Sequence, residues 1–350
     1  MTVALLTNIV SPHQLPLACE IVGLIGANNY IYAYTEPFHR ERAKMGWGDG
    51  SAPEWCRPAS ECKNFLNTAD LVYSELRDIE LFEERLFAGK KSFYVSERWF
   101  KPINLPFGLS LPGCLKLLYP KYFKMAKRFA RLFRYSGFRY LPQGPWAEKD
   151  MKAICRLFRQ KYDERQFASW GYFVAPSSRK GTQRTFDGNH VRVLWVGRML
   201  PLKRVDTIIK AISSLPKDQF TLTLVGNGID EARLKHLAVR ASNIKFRNSV
   251  GIAEVRSVMR DNDVYVFASD SNDGWGAVVN EALEEGMLVL GTFETGASAT
   301  MLPKTHLFHA GDWRALSRLL AKAANGEIEP TGIGDWTAKA AAKRLLNLAE

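Results

Sequence analysis

Two hydrophobic signatures alternate along the chain. Short apolar runs bounded by polar residues read as buried strands, and longer stretches with apolar positions three and four apart read as helices. In the N-terminal half, "VALLTN", "YIYAYT", "ADLVYSE" and "KSFYVSER" are strand-like, with "HQLPLACEIVGLIG" and "DIELFEERLFAGK" as intervening helices. A second series begins at "VRVLWVG". It runs through helix "RVDTIIKAISSL", strand "FTLTLVG", helix "DEARLKHLAVRA", strand "NIKFRN", helix "IAEVRSVMRD", strand "DVYVFAS", helix "GAVVNEALEEG" and strand "LVLGT". Between the series, residues 175–190 are polar and poor in apolar positions, as a linker would be. The pattern predicts two doubly wound α/β domains, 1–175 and 190–335, with a last helix at 336–350 that packs back towards the first. No internal repeat interrupts this order. Parallel sheets bind ligands outside the carboxyl ends of their strands, so residues just after strands carry the most functional weight, and two such domains are expected to face a central cleft.

Composition changes this picture in one place. The 350 residues are 46% hydrophobic and 24% charged, ordinary for a soluble globular chain, but the formal net charge is +12. That excess points to an anionic partner. It concentrates in the segment 115–140, where Lys116, Lys121, Lys124, Lys127, Arg128, Arg131, Arg134 and Arg139 occur without an acid. Tyr122, Ala126, Phe129 and Phe133 recur at helical spacing on another face, giving a basic amphipathic helix. Such a helix suits an anionic membrane surface, with Tyr122 and Phe129 inserting at the interface; a solvated helix is the plainer alternative. Nucleic acid is a poor fit, since no nucleic-acid fold signature accompanies the charge. No run reaches the roughly 20 apolar residues of a spanning helix. The five cysteines show no C-x-x-C spacing, which argues against a disulfide framework or a thiolate metal site.

Three post-strand motifs carry candidate chemistry. "DSNDGWGAVVNEALEEG" places Asp273 before Gly274 and Gly276, and Glu281 one turn into the following helix. The glycines permit close backbone approach, the helix start with Ala277 and Val278 offers free N–H groups to an anion, and a carboxylate suits sugar hydroxyls. Alternatively, Asn272 and Asp273 simply cap the helix. "VGRMLPLKR" supplies Arg198 and Lys203, two cations able to neutralise a diphosphate. "LVGNGIDEARL" sets Gly226 and Gly228 after a strand, and Val250 in "RNSVGIAEV" can offer backbone groups to a base.

Together and in this order, these motifs resemble the C-terminal half of retaining glycosyltransferases of family 4, over most of residues 191–300. The resemblance implies a GT-B fold and sugar transfer from a nucleotide-diphosphate donor (UDP- or GDP-linked), with no metal or other cofactor. It implies that Arg198 and Lys203 hold the diphosphate, that Asp273 meets the transferred sugar, and that Glu281 meets the ribose. The family usually carries glutamate where this chain has the shorter Asp273. In the N-terminal half, "SPHQ" begins a helix where such enzymes place a loop near the donor phosphates and acceptor, so His13 is either a hydrogen-bond donor there or a residue that simply fills the helix start. Ser96, Glu97 and Arg98 stand where many members have a histidine, so Glu97 is a candidate sugar contact or part of a structural network with Arg98. By the same resemblance, the setting is surface-polysaccharide synthesis on a lipid-linked or oligosaccharide acceptor, cytoplasmic and peripheral on the inner membrane. A non-catalytic nucleotide-binding subunit and a nucleotide-sugar epimerase are the alternatives within this fold.

Overall fold

A computed structural model describes residues 1–36, 52–104, 110–177 and 190–350; most of the linker expected at 175–190 lies outside the described residues. The chain divides into two compact units. Of the described residues, the first comprises 1–36, 52–104, 110–173 and 338–350, and the second 174–177 and 190–337.

In the first unit, strand β1 (Val3–Thr7) leads into helix α1 (Leu15–Ile25) and strand β2 (Tyr30–Tyr34). Then follow β3 (Cys56–Pro58), α2 (Lys63–Thr68), β4 (Leu71–Ser74), α3 (Ile79–Phe87) and β5 (Lys91–Ser96). After a short hairpin of β6 (Ile103–Asn104) and β7 (Ser110–Leu111) come α4 (Pro120–Leu132), β8 (Phe138–Pro142) and α5 (Pro145–Leu157). The main sheet has the order β3-β2-β1-β4-β5-β8, and every pairing is parallel. Its strands are covered on both faces, which is why they read as nearly unbroken apolar runs. Arg85 of α3 is fully buried. Its guanidinium donates to the carbonyls of Leu66, Asn67 (3.1 Å), Ala69 (2.9 Å) and Lys91 (2.9 Å), so one cation gathers four backbone acceptors. Desolvation pulls its pKa down to about 10, which leaves it charged at neutral pH.

The basic stretch does form a helix, α4, but its apolar face is already committed. Ala126, Phe129, Ala130 and Leu132 lie in the core of this unit, and Phe129 packs against Tyr94 at 4.6 Å. The Tyr122 hydroxyl donates to the Trp99 carbonyl at 2.7 Å. The expected insertion of Phe129 into an interface is therefore excluded, because withdrawing a core aromatic costs about 3–5 kcal/mol, and Tyr122 is held inward too. Exposed apolar side chains lie just upstream, at Leu115, Leu118 and Tyr119, and in the first turn of α4, at Phe123. Arg128 is paired with Glu80 (2.5 Å) and Glu83 (2.6 Å), whereas Lys121, Lys124, Lys127 and Arg131 are exposed. Among the described residues no helix is long and apolar enough to cross a membrane.

The second unit repeats the architecture. Its strands are β9 (Val191–Val196), β10 (Phe220–Val225), β11 (Ile244–Arg247), β12 (Val264–Phe267), β13 (Leu288–Thr292) and β14 (Leu307–Phe308). They pair in parallel in the order β11-β10-β9-β12-β13-β14. The helices are α6 (Val205–Ser213), α7 (Glu231–Leu237), α8 (Ile252–Arg260), α9 (Ala277–Glu284), α10 (Gly296–Met301) and α11 (Trp313–Ala324). A single apolar core joins β9, β10, β12 and β13 to α6 and α11. The final helix, α12 (Ala338–Leu348), belongs to the first unit, where it packs on α1. Lys91 Nζ of β5 donates to the carbonyls of Ala349 and Glu350, and the Arg344 guanidinium lies 5.1 Å over Trp170.

The loops after β9 and β10 are fastened backbone to backbone. Gly197 N–H donates to Val225 O (3.0 Å), Met199 N–H to Asn227 O (2.8 Å) and Asp230 N–H to Met199 O (3.0 Å). Gly226 sits at φ +135°, and a Cβ built there would lie 1.9 Å from the Gly197 carbonyl oxygen. No side-chain rotation relieves a clash with backbone. Gly226→Ala is expected to destabilise the protein by about 2–4 kcal/mol, read as a lowered urea midpoint.

Candidate active site

In the second sheet the strand order reverses between β9 and β12, so the loops after these strands diverge and leave a crevice at the carboxyl edge. Arg198 and Lys203 follow β9, and Asp273, Gly274 and Gly276 follow β12. Gly226 and Val250, after β10 and β11, lie along the same edge because all pairings are parallel.

The two loops at the crevice are tied directly. Lys203 Nζ donates to Asp273 Oδ2 at 2.6 Å, both side chains being largely buried, and Asp270 N–H donates to Leu202 O at 2.9 Å. Burial alone would raise the Asp273 pKa. The Lys203 charge and hydrogen bond, with that from the Gly274 N–H (3.0 Å), outweigh it and hold the carboxyl below its usual range. Asp273 is thus a fixed anion and Lys203 a cation already matched to it. Arg198 is exposed, and its guanidinium meets no carboxylate among the described residues.

The capping alternative does not hold. Helix α9 starts at Gly276, at φ +90°, with no side-chain cap. Asp273 is on Lys203 and Gly274, and the Asn272 N–H closes a turn on Asp270 Oδ1 at 2.9 Å. A Cβ at Gly276 would meet the Phe267 ring at 2.5 Å, so only glycine lets the chain turn this tightly out of β12. The N–H groups of the first turn, Ala277 and Val278, are left for an anion. Trp275 is buried beside them, donating to Asn280 Oδ1 at 2.8 Å. Glu281, one turn in, is buried as well. Desolvation raises its pKa to about 7, opposed by Arg256 and reinforced by Glu285.

The first unit has its own reversal, between β1 and β4. His13 lies between β1 and α1, tilted against Tyr172 at 6.1 Å, and burial lowers its pKa to about 4, so its ring is neutral at pH 7. Glu97 follows β5 and pairs with Lys101 at 2.5 Å. Arg98 turns instead to Asp150 (3.7 Å) and over the Trp146 ring (5.6 Å), so Glu97 and Arg98 pair with different partners. Ser96 is buried and donates to the Glu97 carbonyl at 2.8 Å. Glu97 lines a cavity of about 570 Å³ at the ends of β4, β5 and β8.

That cavity contains a residue the sequence reading passed over. Glu75 directly follows β4, shares this cavity with Glu97, and also borders the smaller hollow lined by His13 and Tyr172. Burial, with a contribution from Glu97, raises its pKa to about 7 against the hydrogen bonds from Gln14 and Thr7. The signal was present: an acid immediately after the apolar run "LVYS". Among the described residues no group of three His, Cys, Asp or Glu side chains is arranged to hold a metal ion.

Residues 179–338 match the family described as Glycosyl transferases group 1. A stretch of 119 residues is 30% identical to an uncharacterized glycosyltransferase of Methanocaldococcus jannaschii, covering 33% of this chain and 30% of that relative. Solved structures extend the likeness to the whole length. The lipopolysaccharide outer core galactosyltransferase WaaB aligns with a TM-score of 0.67 at 13% identity, over 99% of each chain. HepE of Anabaena, in complex with UDP, gives 0.64 at 13%, over 100% of this chain and 97% of that one. A glycosyltransferase from Rickettsia africae gives 0.60 at 14%, over 99% and 97%. The fold is GT-B, two doubly wound α/β domains.

The Lys203–Asp273 pair gives a direct test of this geometry. In a double-mutant cycle of Lys203→Met and Asp273→Asn, urea unfolding should show a coupling of about 1–2 kcal/mol at neutral pH. Because the folded Asp273 pKa is depressed, this stabilisation is present above the ordinary value of 3.8 and is lost as pH falls through the folded value. A coupling that stays constant down to pH 2 would contradict the pairing.

Proposed function

We propose that the protein is a retaining glycosyltransferase that moves a sugar from a nucleotide-diphosphate donor to a hydroxyl of a lipid-linked saccharide acceptor. One observation carries this reading: the Arg198–Lys203 loop and the Asp273–Glu281 loop-helix meet across the strand reversal of a domain that matches a glycosyltransferase family. Arg198, Lys203 and the start of α9 at Gly276, Ala277 and Val278 stabilise the departing diphosphate, a task electrostatics can perform without a metal. Asp273, kept anionic, faces the developing positive charge of the sugar. The nucleophile enters on the face the leaving group vacates. Glu281 accepts from the ribose, Gly274 admits the donor backbone to backbone, and Gly226 and Val250 border the base. The complexes of HepE with UDP and with UDP-glucose support a UDP-linked donor.

The test is turnover of radiolabelled UDP- and GDP-hexoses by the full chain with and without Arg198→Ala and Lys203→Ala. Removing such charges is worth roughly 10²–10³ in rate; unchanged turnover in the double variant would overturn the assignment.

A peripheral position on an anionic membrane would bring a lipid-linked acceptor within reach. The exposed Leu118 and Tyr119, beside Lys121, Lys124, Lys127 and Arg131, support it. Each basic side chain is worth about 1 kcal/mol near such a surface. Neutralising these four to glutamine should reduce sedimentation with phosphatidylglycerol vesicles by roughly two to three orders of magnitude in partition coefficient. Equal binding to phosphatidylcholine vesicles would refute the electrostatic contact.

A further inference from the structure

We infer that the cavity of the first unit binds an oxyanion carried by the acceptor saccharide, a carboxylate or a phosphate. This rests on the glycosyl-transfer reading for the word acceptor, but the cavity's preference for an anion stands on its own lining.

Four cations border the cavity: Arg77, Arg98, Lys101 and Lys116. Two acids border it as well, Glu75 and Glu97. Glu97 is engaged by Lys101 at 2.5 Å, and Arg98 has its carboxylate in Asp150, outside the lining. Arg77 and Lys116 form no ion pair with any described residue. Arg77 Nε donates to the Tyr94 hydroxyl at 3.2 Å, and its guanidinium lies 4.4 Å over the Trp99 ring, so an uncharged oxygen and an aromatic face hold it. Lys116 Nζ donates to the Lys101 carbonyl at 2.9 Å. Burial, then the charges of Lys101, Arg77 and Arg98, lower the Lys116 pKa, as expected where positive charge is in local excess.

The neutral groups point the same way. Gln143 is buried on the cavity wall, and its Nε2 has no hydrogen-bond partner among the described residues. An arginine or lysine can only donate, and the orphaned Gln143 atom is a donor. A lining rich in unmet donors calls for a ligand rich in acceptors, and a carboxylate or phosphate offers several in a small volume. Tyr122 and Tyr172 on the same lining add aromatic surface for a sugar ring carrying that anion.

Isothermal titration of the full chain separates the sources. The probes are glucuronate, glucose 6-phosphate and glucose, each run with and without UDP or GDP. At least one charged sugar should bind about tenfold more tightly than glucose, and the tighter of the two tells carboxylate from phosphate. Arg77→Gln and Lys116→Gln, made singly, should each weaken the charged sugar by roughly 10- to 100-fold, the loss of one charged hydrogen bond. Glucose binding and nucleotide binding should not move, and the Lys116 variant should keep the parent's unfolding midpoint. The Lys116 variant guards against misfolding caused by unstacking Arg77 from Trp99. The inference is overturned if glucose matches the charged sugars, if neither charged sugar binds at millimolar concentration, if both variants bind like the parent, or if UDP or GDP displaces the charged sugar. Anion binding without nucleotide binding would sink glycosyl transfer and leave the cavity assignment intact; nucleotide binding with no anion preference would do the reverse.

Discussion

Parallel pairing is the constraint from which the rest follows. When every strand in a sheet runs the same way, every loop that leaves a carboxyl end emerges on one edge, and each return must cross a face as a helix. Both sheets obey this rule, and each reverses its winding once, at β1/β4 and at β9/β12. The candidate residues then need no long-range coincidence to meet. His13 and Glu75 flank one reversal, and Lys203 and Asp273 flank the other. The closeness of the neighbouring loops after β9 and β10 is set by glycine, since a methyl group at 226 would enter the carbonyl of Gly197.

The carboxylates on these edges are held in two opposite electrostatic states. Asp273 is kept ionised by a lysine and a backbone donor, and its short side chain reaches Lys203 at 2.6 Å. Glu75 and Glu281 sit where burial favours the protonated form, with pKa values near 7. A fixed anion suits a cationic transition state. A carboxyl that titrates near neutrality can either donate to or accept from a hydroxyl.

How much of this was legible in the sequence varied with periodicity. The buried strands "VALLTN" and "DVYVFAS" were plain because a parallel strand covered on both faces is apolar throughout. The motif order over 191–300 located the Arg198, Lys203 and Asp273 loops, but not the ion pair between Lys203 and Asp273, which depends on side chains 70 residues apart. The strand β8 escaped notice because "FRYLP" carries an arginine and ends in proline. Helix α4 was legible as amphipathic, yet periodicity cannot say whether an apolar face meets lipid or core. Phe129 meets Phe82, Tyr94 and Trp99. Glu75 and the donors around its cavity were hidden because Arg77, Lys101 and Lys116 come from separate segments that only the sheet edge assembles.

The return of α12 to the first unit bears on how the chain is made. The second unit is an insertion within the first in sequence, so the ribosome completes it before it releases the helix that packs on α1. Until residues 338–350 emerge, α1 keeps an uncovered apolar flank and Lys91 lacks the carbonyls of Ala349 and Glu350. The domain begun first is thus finished last. The exposed flank of α1 would be a ready binding site for a chaperone during that interval.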